Sequence, residues 1–156
     1  ARRIVIEPIP EKRKMALEMG ADFVIHPAVQ DAKAVIFEQT GGQGADAVIV
    51  DVGVTSALEQ SLDYVKKGGR VVIFAGMPVG SKITIDPNTI HYKEIILTGS
   101  SSSSAINQAE VFRLLSSGKV STDGMISGCF PLEEWRTAFE MKANYVGVKT
   151  IMDPWA

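Results

Sequence analysis

The chain has 156 residues, is 46% apolar and 22% charged, and carries a net charge of −2. That is the composition of an ordinary soluble globular domain with enough chain for a real core. It has neither the basic surplus of a nucleic-acid binder nor any stretch near the roughly 18 apolar residues of a membrane span. The single cysteine, Cys129, excludes an intrachain disulfide and a cysteine-cluster zinc site made by this chain alone, and reads as a small buried apolar residue. With that lone cysteine a reducing cytoplasm is the expected compartment.

Apolar runs of strand length alternate with segments of helical period. The first strand, Arg3–Glu7, closes on an acidic residue, and Pro8-Ile9-Pro10 leads into a helix over Glu11–Met19 stopped by Gly20. A strand over Asp22–His26 follows, then a helix over about Gln30–Gln39 and the turn Gly41-Gly42-Gln43-Gly44. That turn runs from helix to strand, the reverse of a phosphate loop, and reads as a connection. Ala47–Asp51 is the next strand. A third helix is expected with Ser56 and Glu59 as a capping box and with Leu58, Leu62 and Val65 on its buried face. Lys66 and Lys67 fall in its last turn, where cations suit the negative helix end. Strands are then expected over Arg70–Ala75, Ile83–Asp86 and Ile95–Gly99, with His91 and Tyr92 ahead of the last. Most of these strands are Val/Ile-rich without polar alternation, as parallel strands covered on both faces are.

After the serine run Ser100–Ser104 comes a helix over about Asn107–Ser117, ended by Gly118. The tail breaks the rhythm: candidate strands Met125–Phe130 and Val148–Met152 flank a helix over Pro131–Lys142 that carries Leu132, Trp135 and Phe139 on one face. A boundary is placed near Val120–Gly124, dividing the chain into 1–122 and 123–156.

In open α/β sheets ligands bind outside the carboxyl ends of the strands. Those ends are Glu7, His26-Pro27, Asp51-Val52-Gly53, Ala75-Gly76-Met77 and Gly99-Ser100. A carboxylate ending an apolar strand is what dinucleotide-binding folds use to hold a ribose diol, about 20 residues after a glycine-rich turn. Glu7 fits that role and would repel a 2′-phosphate, favouring NAD over NADP. The alternative is a strand-end carboxylate paired with Lys12 or Arg13. Neither His26 nor His91 has a Cys or Asp neighbour at ligand spacing, and no metal-ligating or catalytic set is assembled from this chain.

The runs IVIEPIPEKRKMALEMGADFVIHP, GADAVIVDVG, KKGGRVVIFAGMP and KEIILTGS, and the tail SGKV, FPLEEWRTAFE and VGVKTIMDP, together resemble the coenzyme domain of zinc-type medium-chain alcohol and polyol dehydrogenases. The sorbitol and threonine dehydrogenase branch is the most similar. The resemblance implies part of a Rossmann-type, doubly wound parallel sheet, with a tail that returns to the catalytic domain. It implies an oxidoreductase that moves hydride from a secondary alcohol or polyol to NAD, with a catalytic zinc polarising the alcohol oxygen. By the same resemblance Glu7 matches the ribose-binding acid and Lys12 a basic residue on the adenosine side. Val52 and Gly53 match the turn beside the adenine ribose, and Ala75, Gly76, Met77, Ser100 and Ser101 the backbone that meets the nicotinamide. Lys149 matches a basic residue near the pyrophosphate.

The family pattern ahead of Glu7 is not found in this chain: the first strand, its glycine turn and the zinc ligands. In the order 3-2-1-4-5-6 that strand is central, so the sequence reads as a fragment of the dehydrogenase, inactive alone. The competing reading is a free-standing α/β binding or assembly domain without redox chemistry. Association with further copies is expected through an edge strand at Lys82–Asp86, in line with the dimers common in the family.

Overall fold

The computed structural model describes residues 1–156, which form two compact units, Ala1–Ser102 and Ser103–Ala156. In the first unit the strands are β1 (Ile4–Ile6), β2 (Phe23–Ile25), β3 (Ala45–Val50), β4 (Val65–Ile73) and β5 (Ile96–Gly99). The helices are α1 (Pro10–Glu18), α2 (Ala32–Gln39), α3 (Thr55–Tyr64) and α4 (Pro87–Lys93). All neighbouring strands are parallel, as the unbroken apolar runs require. They form two sheets, β1-β2 and β3-β4-β5, with no ladder between them.

A shared core joins the two sheets. Ile25, Ala32 and Ile36 are buried, and Ile4 of β1, Phe23 of β2, Ala45 of β3 and Tyr64 of α3 pack against them. The larger core lies on the three-stranded sheet, where Val50, Val71 and Ile95 meet Leu58 and Leu62 of α3. Burying a leucine of this kind stabilises the fold by about 1.5–3 kcal/mol. The helix spacing Leu58–Leu62 thus places one face of α3 on the sheet, as the sequence indicates.

Several expectations are corrected. Ile83–Asp86 forms no strand: it is an extended segment outside any ladder. Ile83 and Ile85 pack on the larger core, and the Thr84 amide donates to Glu59 Oε1 at 2.7 Å. Glu59 is therefore not part of a capping box. Val54 is the N-cap of α3 and makes no side-chain cap, because the helix begins one residue ahead of Ser56. Val65 is fully buried but opens β4 rather than closing α3. Lys66 pairs with Asp46 at 2.5 Å and Lys67 with Glu94 at 3.5 Å, while Lys93 Nζ donates to the Leu62 carbonyl near the α3 terminus at 3.2 Å. His91 and Tyr92 lie in α4, a helix started by the Asp86 cap on Asn88 N and by Pro87 in its first turn.

The second unit holds α5 (Ala105–Ser116), β6 (Ile126–Pro131), a 3₁₀ turn (Leu132–Glu134), α6 (Trp135–Ala143) and β7 (Lys149–Asp153). β6 and β7 pair in parallel. Cys129 is exposed, not buried: successive residues of β6 alternate sides, and Cys129 points away from the side on which Gly128 and Phe130 are partly covered.

The entry to β1 is fixed by Asp22, whose Oδ2 accepts from the Arg3 amide at 2.6 Å and from Arg3 Nε at 3.2 Å. The Arg3 backbone N–H, and then its guanidinium, lower the Asp22 pKa from the ordinary 3.8. A lowered carboxylate pKa contributes stability present above the unfolded value and lost as pH falls through the folded one. In an acid titration followed by NMR, the Arg3 amide resonance is expected to move at a pH below 3.8, and Asp22→Asn to abolish that step. Titration of Asp22 at or above 3.8 would contradict the assignment.

Candidate functional site

The C-terminal ends of parallel strands carry the turns where a fold of this kind meets its ligand. Backbone bonds set three of these turns in a row. The amides of Phe74 and Ala75 donate to the Val50 carbonyl at 3.0 Å, and the Ser100 amide donates to the Ile73 carbonyl at 3.0 Å. The ends of β3, β4 and β5 therefore step side by side through Asp51–Gly53, Ala75–Met77 and Ser100–Ser101.

Gly53 and Gly76 face each other across two of these turns. A Cβ on Gly53 would stand 2.8 Å from the Gly76 carbonyl oxygen, too close for any real side chain. Gly53 is thus required by the close approach of two backbones. At Gly76 the reverse holds: an added Cβ would meet nothing within 4 Å, so its missing side chain leaves bare, open backbone. Val52 is exposed at 47%, while Met77 turns its side chain onto the larger core. Ser100 and Ser101 are exposed.

Glu7 ends β1 and is half-buried. Its amide extends the ladder by donating to the Ile25 carbonyl at 3.0 Å. Its Oε1 accepts from the Ile9 amide at 2.8 Å. The alternative pairing with Arg13 is not formed. Arg13 instead donates from Nη1 to the carbonyls of Glu7 and Pro8, at 2.8 and 2.7 Å. Lys12 stands beside Arg13 on α1 and is half-buried. Sequence reasoning did not assign Arg13 to the carbonyls of this turn. Its position six residues after Glu7, on the opening turn of the helix, is the signal that it returns to the turn's carbonyls.

Lys149 belongs to the second unit, where it is exposed and opens β7, its amide donating to the Met125 carbonyl at 3.0 Å. His26 accepts at Nδ1 from the Ala28 amide at 3.2 Å and closes a turn after β2. Gly41–Gly44 connects α2 to β3, as read from its place in the sequence.

The chain is similar to known proteins in sequence and in fold. The chain is 34% identical to an erythritol/L-threitol dehydrogenase of Mycolicibacterium smegmatis over 92% of its own length and 39% of the relative's. It is 34% identical to an L-threonine 3-dehydrogenase of Pyrococcus horikoshii, over 96% of this chain and 43% of that one. Among solved structures, a zinc-binding dehydrogenase of Sinorhizobium meliloti, bound to NADP, superposes with a TM-score of 0.87 at 29% identity, covering 99% of this chain and 45% of that one. The 2R,3R-butanediol dehydrogenase of Bacillus subtilis superposes with a TM-score of 0.86 at 27% identity, covering 97% and 43%. The chain spans about two-fifths of the length of the curated relatives it matches. A family model for zinc-binding dehydrogenases covers residues 1–117, and with most of its length under that model the chain belongs to the zinc-binding dehydrogenase family.

Proposed function

We propose that residues 1–122 are the cofactor-binding part of an NAD-dependent alcohol or polyol dehydrogenase of the cytoplasm, and that residues 123–156 belong to its catalytic domain. Glu7 carries this reading: a carboxylate held at the end of a parallel strand, with Oε1 anchored to the Ile9 amide. Each carboxylate oxygen accepts more than one hydrogen bond, so the group can take both hydroxyls of a ribose. Lys12 lies on the adenosine side, and the turn Val52-Gly53 beside the ribose. The bare backbone at Ala75, Gly76 and Met77, with Ser100 and Ser101, receives the nicotinamide. The nicotinamide supplies the hydride chemistry; these residues bind and orient it. The relatives named for erythritol, threonine and butanediol support a small alcohol or polyol as the substrate class.

The zinc implied by the family does not fit the donors of this chain. No group of three His, Cys, Asp or Glu side chains stands together, and His26 uses Nδ1 within its own turn. In this proposal the metal and its ligands lie on polypeptide outside these residues. The isolated 156-residue chain is accordingly expected to oxidise neither sorbitol, threonine nor simple secondary alcohols when zinc and NAD are supplied. Turnover by the highly purified chain would contradict this.

The full-length gene product is expected to prefer NAD to NADP in kcat/KM. A hydrogen bond to a charged group is worth about 1.5–3 kcal/mol. Glu7→Gln should therefore raise KM for NAD by about 10- to 100-fold and narrow the preference. Equal use of the two cofactors by the unmodified enzyme, or preference for NADP, would sink the NAD assignment.

The extended segment Lys82–Asp86 supports a homo-oligomeric proposal. Its isoleucines face the core and it joins no ladder; apart from the Thr84 amide, which is bonded to Glu59, its backbone is open to pairing with a two-fold copy. Ile85→Pro should shift the gene product toward monomer in sedimentation. A wild-type protein that sediments as a monomer at micromolar concentration would rule this association out.

A further inference from the structure

We infer that Arg13 is a positioning residue: its guanidinium clamps the two carbonyls of the Glu7-Pro8 turn and thereby fixes the direction of the Glu7 carboxylate. The inference rests on the proposed role of Glu7 toward a ribose, and extends it to a side chain that touches no nucleotide.

The geometry is specific. One nitrogen, Nη1, carries two hydrogens and reaches two carbonyl oxygens, Glu7 O at 2.8 Å and Pro8 O at 2.7 Å. Arg13 is itself held, its amide donating to the Ile9 carbonyl at 3.0 Å in the first turn of α1. Glu7 is thus fixed at three atoms. Its amide is bonded to β2, its carbonyl to Arg13, and its Oε1 to the Ile9 amide. Arg13 is half-buried, which strengthens its charge-assisted bonds relative to open water.

Two consequences follow from the chemistry. Without the clamp, the two carbonyls lose their donors and the Glu7-Pro8-Ile9 turn gains freedom, so the carboxylate must be ordered when ligand arrives. Lysine cannot replace arginine fully. Its ammonium is a compact point charge on a flexible stem, while the guanidinium is a rigid planar fork. A nitrogen committed to two carbonyls is also poorly placed to receive a 2′-phosphate.

The test uses the full-length gene product with Arg13→Met, Arg13→Lys, Glu7→Gln and the Arg13→Met/Glu7→Gln double variant. Methionine keeps an apolar stem and favours helix, and thermal unfolding checks that each variant folds. Without nucleotide, hydrogen exchange at the Ile9 amide should be at least several-fold faster in Arg13→Met, with Arg13→Lys in between. With NAD, Arg13→Met should raise KM about fivefold or more with kcat little changed. In the double variant it should add little to the loss from Glu7→Gln alone. Three results overturn the inference: unchanged Ile9 exchange in Arg13→Met, losses in KM that simply multiply in the double variant, or a selective loss of NADP use with KM for NAD unchanged. The last would make Arg13 a phosphate ligand. A protein in which Arg13→Met frees the Ile9 amide but NAD is not a substrate refutes the cofactor reading and supports the clamp.

Discussion

A parallel strand has two edges, and the backbone groups along both must find partners if the strand is to sit inside a sheet. In this chain β1 is paired only through β2, and β3 only through β4. The two ladders are kept together by side chains instead: α2 packs Ala32 and Ile36 on Ile25 of β2, with Ala45 of β3 in the same cluster. Everything at the candidate site hangs on this arrangement. Glu7 ends the strand on one side of the break, and the turns at Val52-Gly53 and Gly76 end strands on the other. The orders β2-β1 and β3-β4-β5 are the two outer parts of the order 3-2-1-4-5-6, with its central position filled by no strand of this chain. That position adjoins the switch point at which such folds bind dinucleotides. Ile49 of β3, on the face of the strand turned away from α3, is 66% exposed, although parallel sheets are ordinarily covered on both sides.

The alternation of strands and helices was legible because parallel strands need unbroken apolar runs and helices need caps and stops. Ile4–Ile6, Phe23–Ile25, Ala45–Val50 and Ile96–Gly99 all fall within a few residues of where the runs predict them. The failure at Ile83–Asp86 is instructive. Alternation of Ile with polar residues signals one buried face, and Ile83 and Ile85 do bury that face. Periodicity reports burial, however, and not whether a ladder partner exists. The same segment hid α4, whose Asp86-Pro87 start is a strong local signal that loses to the strand reading only when the isoleucines are weighed first. Lys66 and Lys67 were misplaced for a related reason. Charges near a helix end are assigned to it by sequence distance, whereas Asp46 and Glu94 are brought to them by β3 and by the end of α4.

Cys129 and the second unit show the limit of composition. A cysteine is buried on average, but β6 belongs to a two-stranded sheet with α6 packed against it, and half of its side chains have nothing over them. α5 buries none of its residues, and Phe112 is 73% exposed. The helix expected over about Asn107–Ser117 forms over Ala105–Ser116. The cover it implies is a property of neighbours, and sequence pattern alone does not say which polypeptide provides them.

The candidate site was legible to different depths at its different parts. Glu7 is legible as a candidate because it closes an apolar strand, the position from which dinucleotide-binding folds hold a ribose. The geometry of its turn was written more quietly, in two prolines. A residue before proline is restricted to extended backbone, which constrains both Glu7 and Ile9, and Ile9 indeed has φ −84° and ψ 120°. Pro10 then supplies a helix start that needs no N–H. The chain therefore turns sharply from strand to helix with little freedom left to lose, and the Ile9 amide is delivered to the Glu7 carboxylate. What the prolines cannot do is satisfy the carbonyls they leave turned outward. Proline has no donor to offer and the helix has not yet begun. A long side chain from the next turn of α1 is the nearest source, and arginine, with two hydrogens on one nitrogen, can serve both carbonyls at once. The local sequence, the helix it starts and the fixed carboxylate are in this sense one device, in which rigidity supplied by covalent structure is completed by hydrogen bonds.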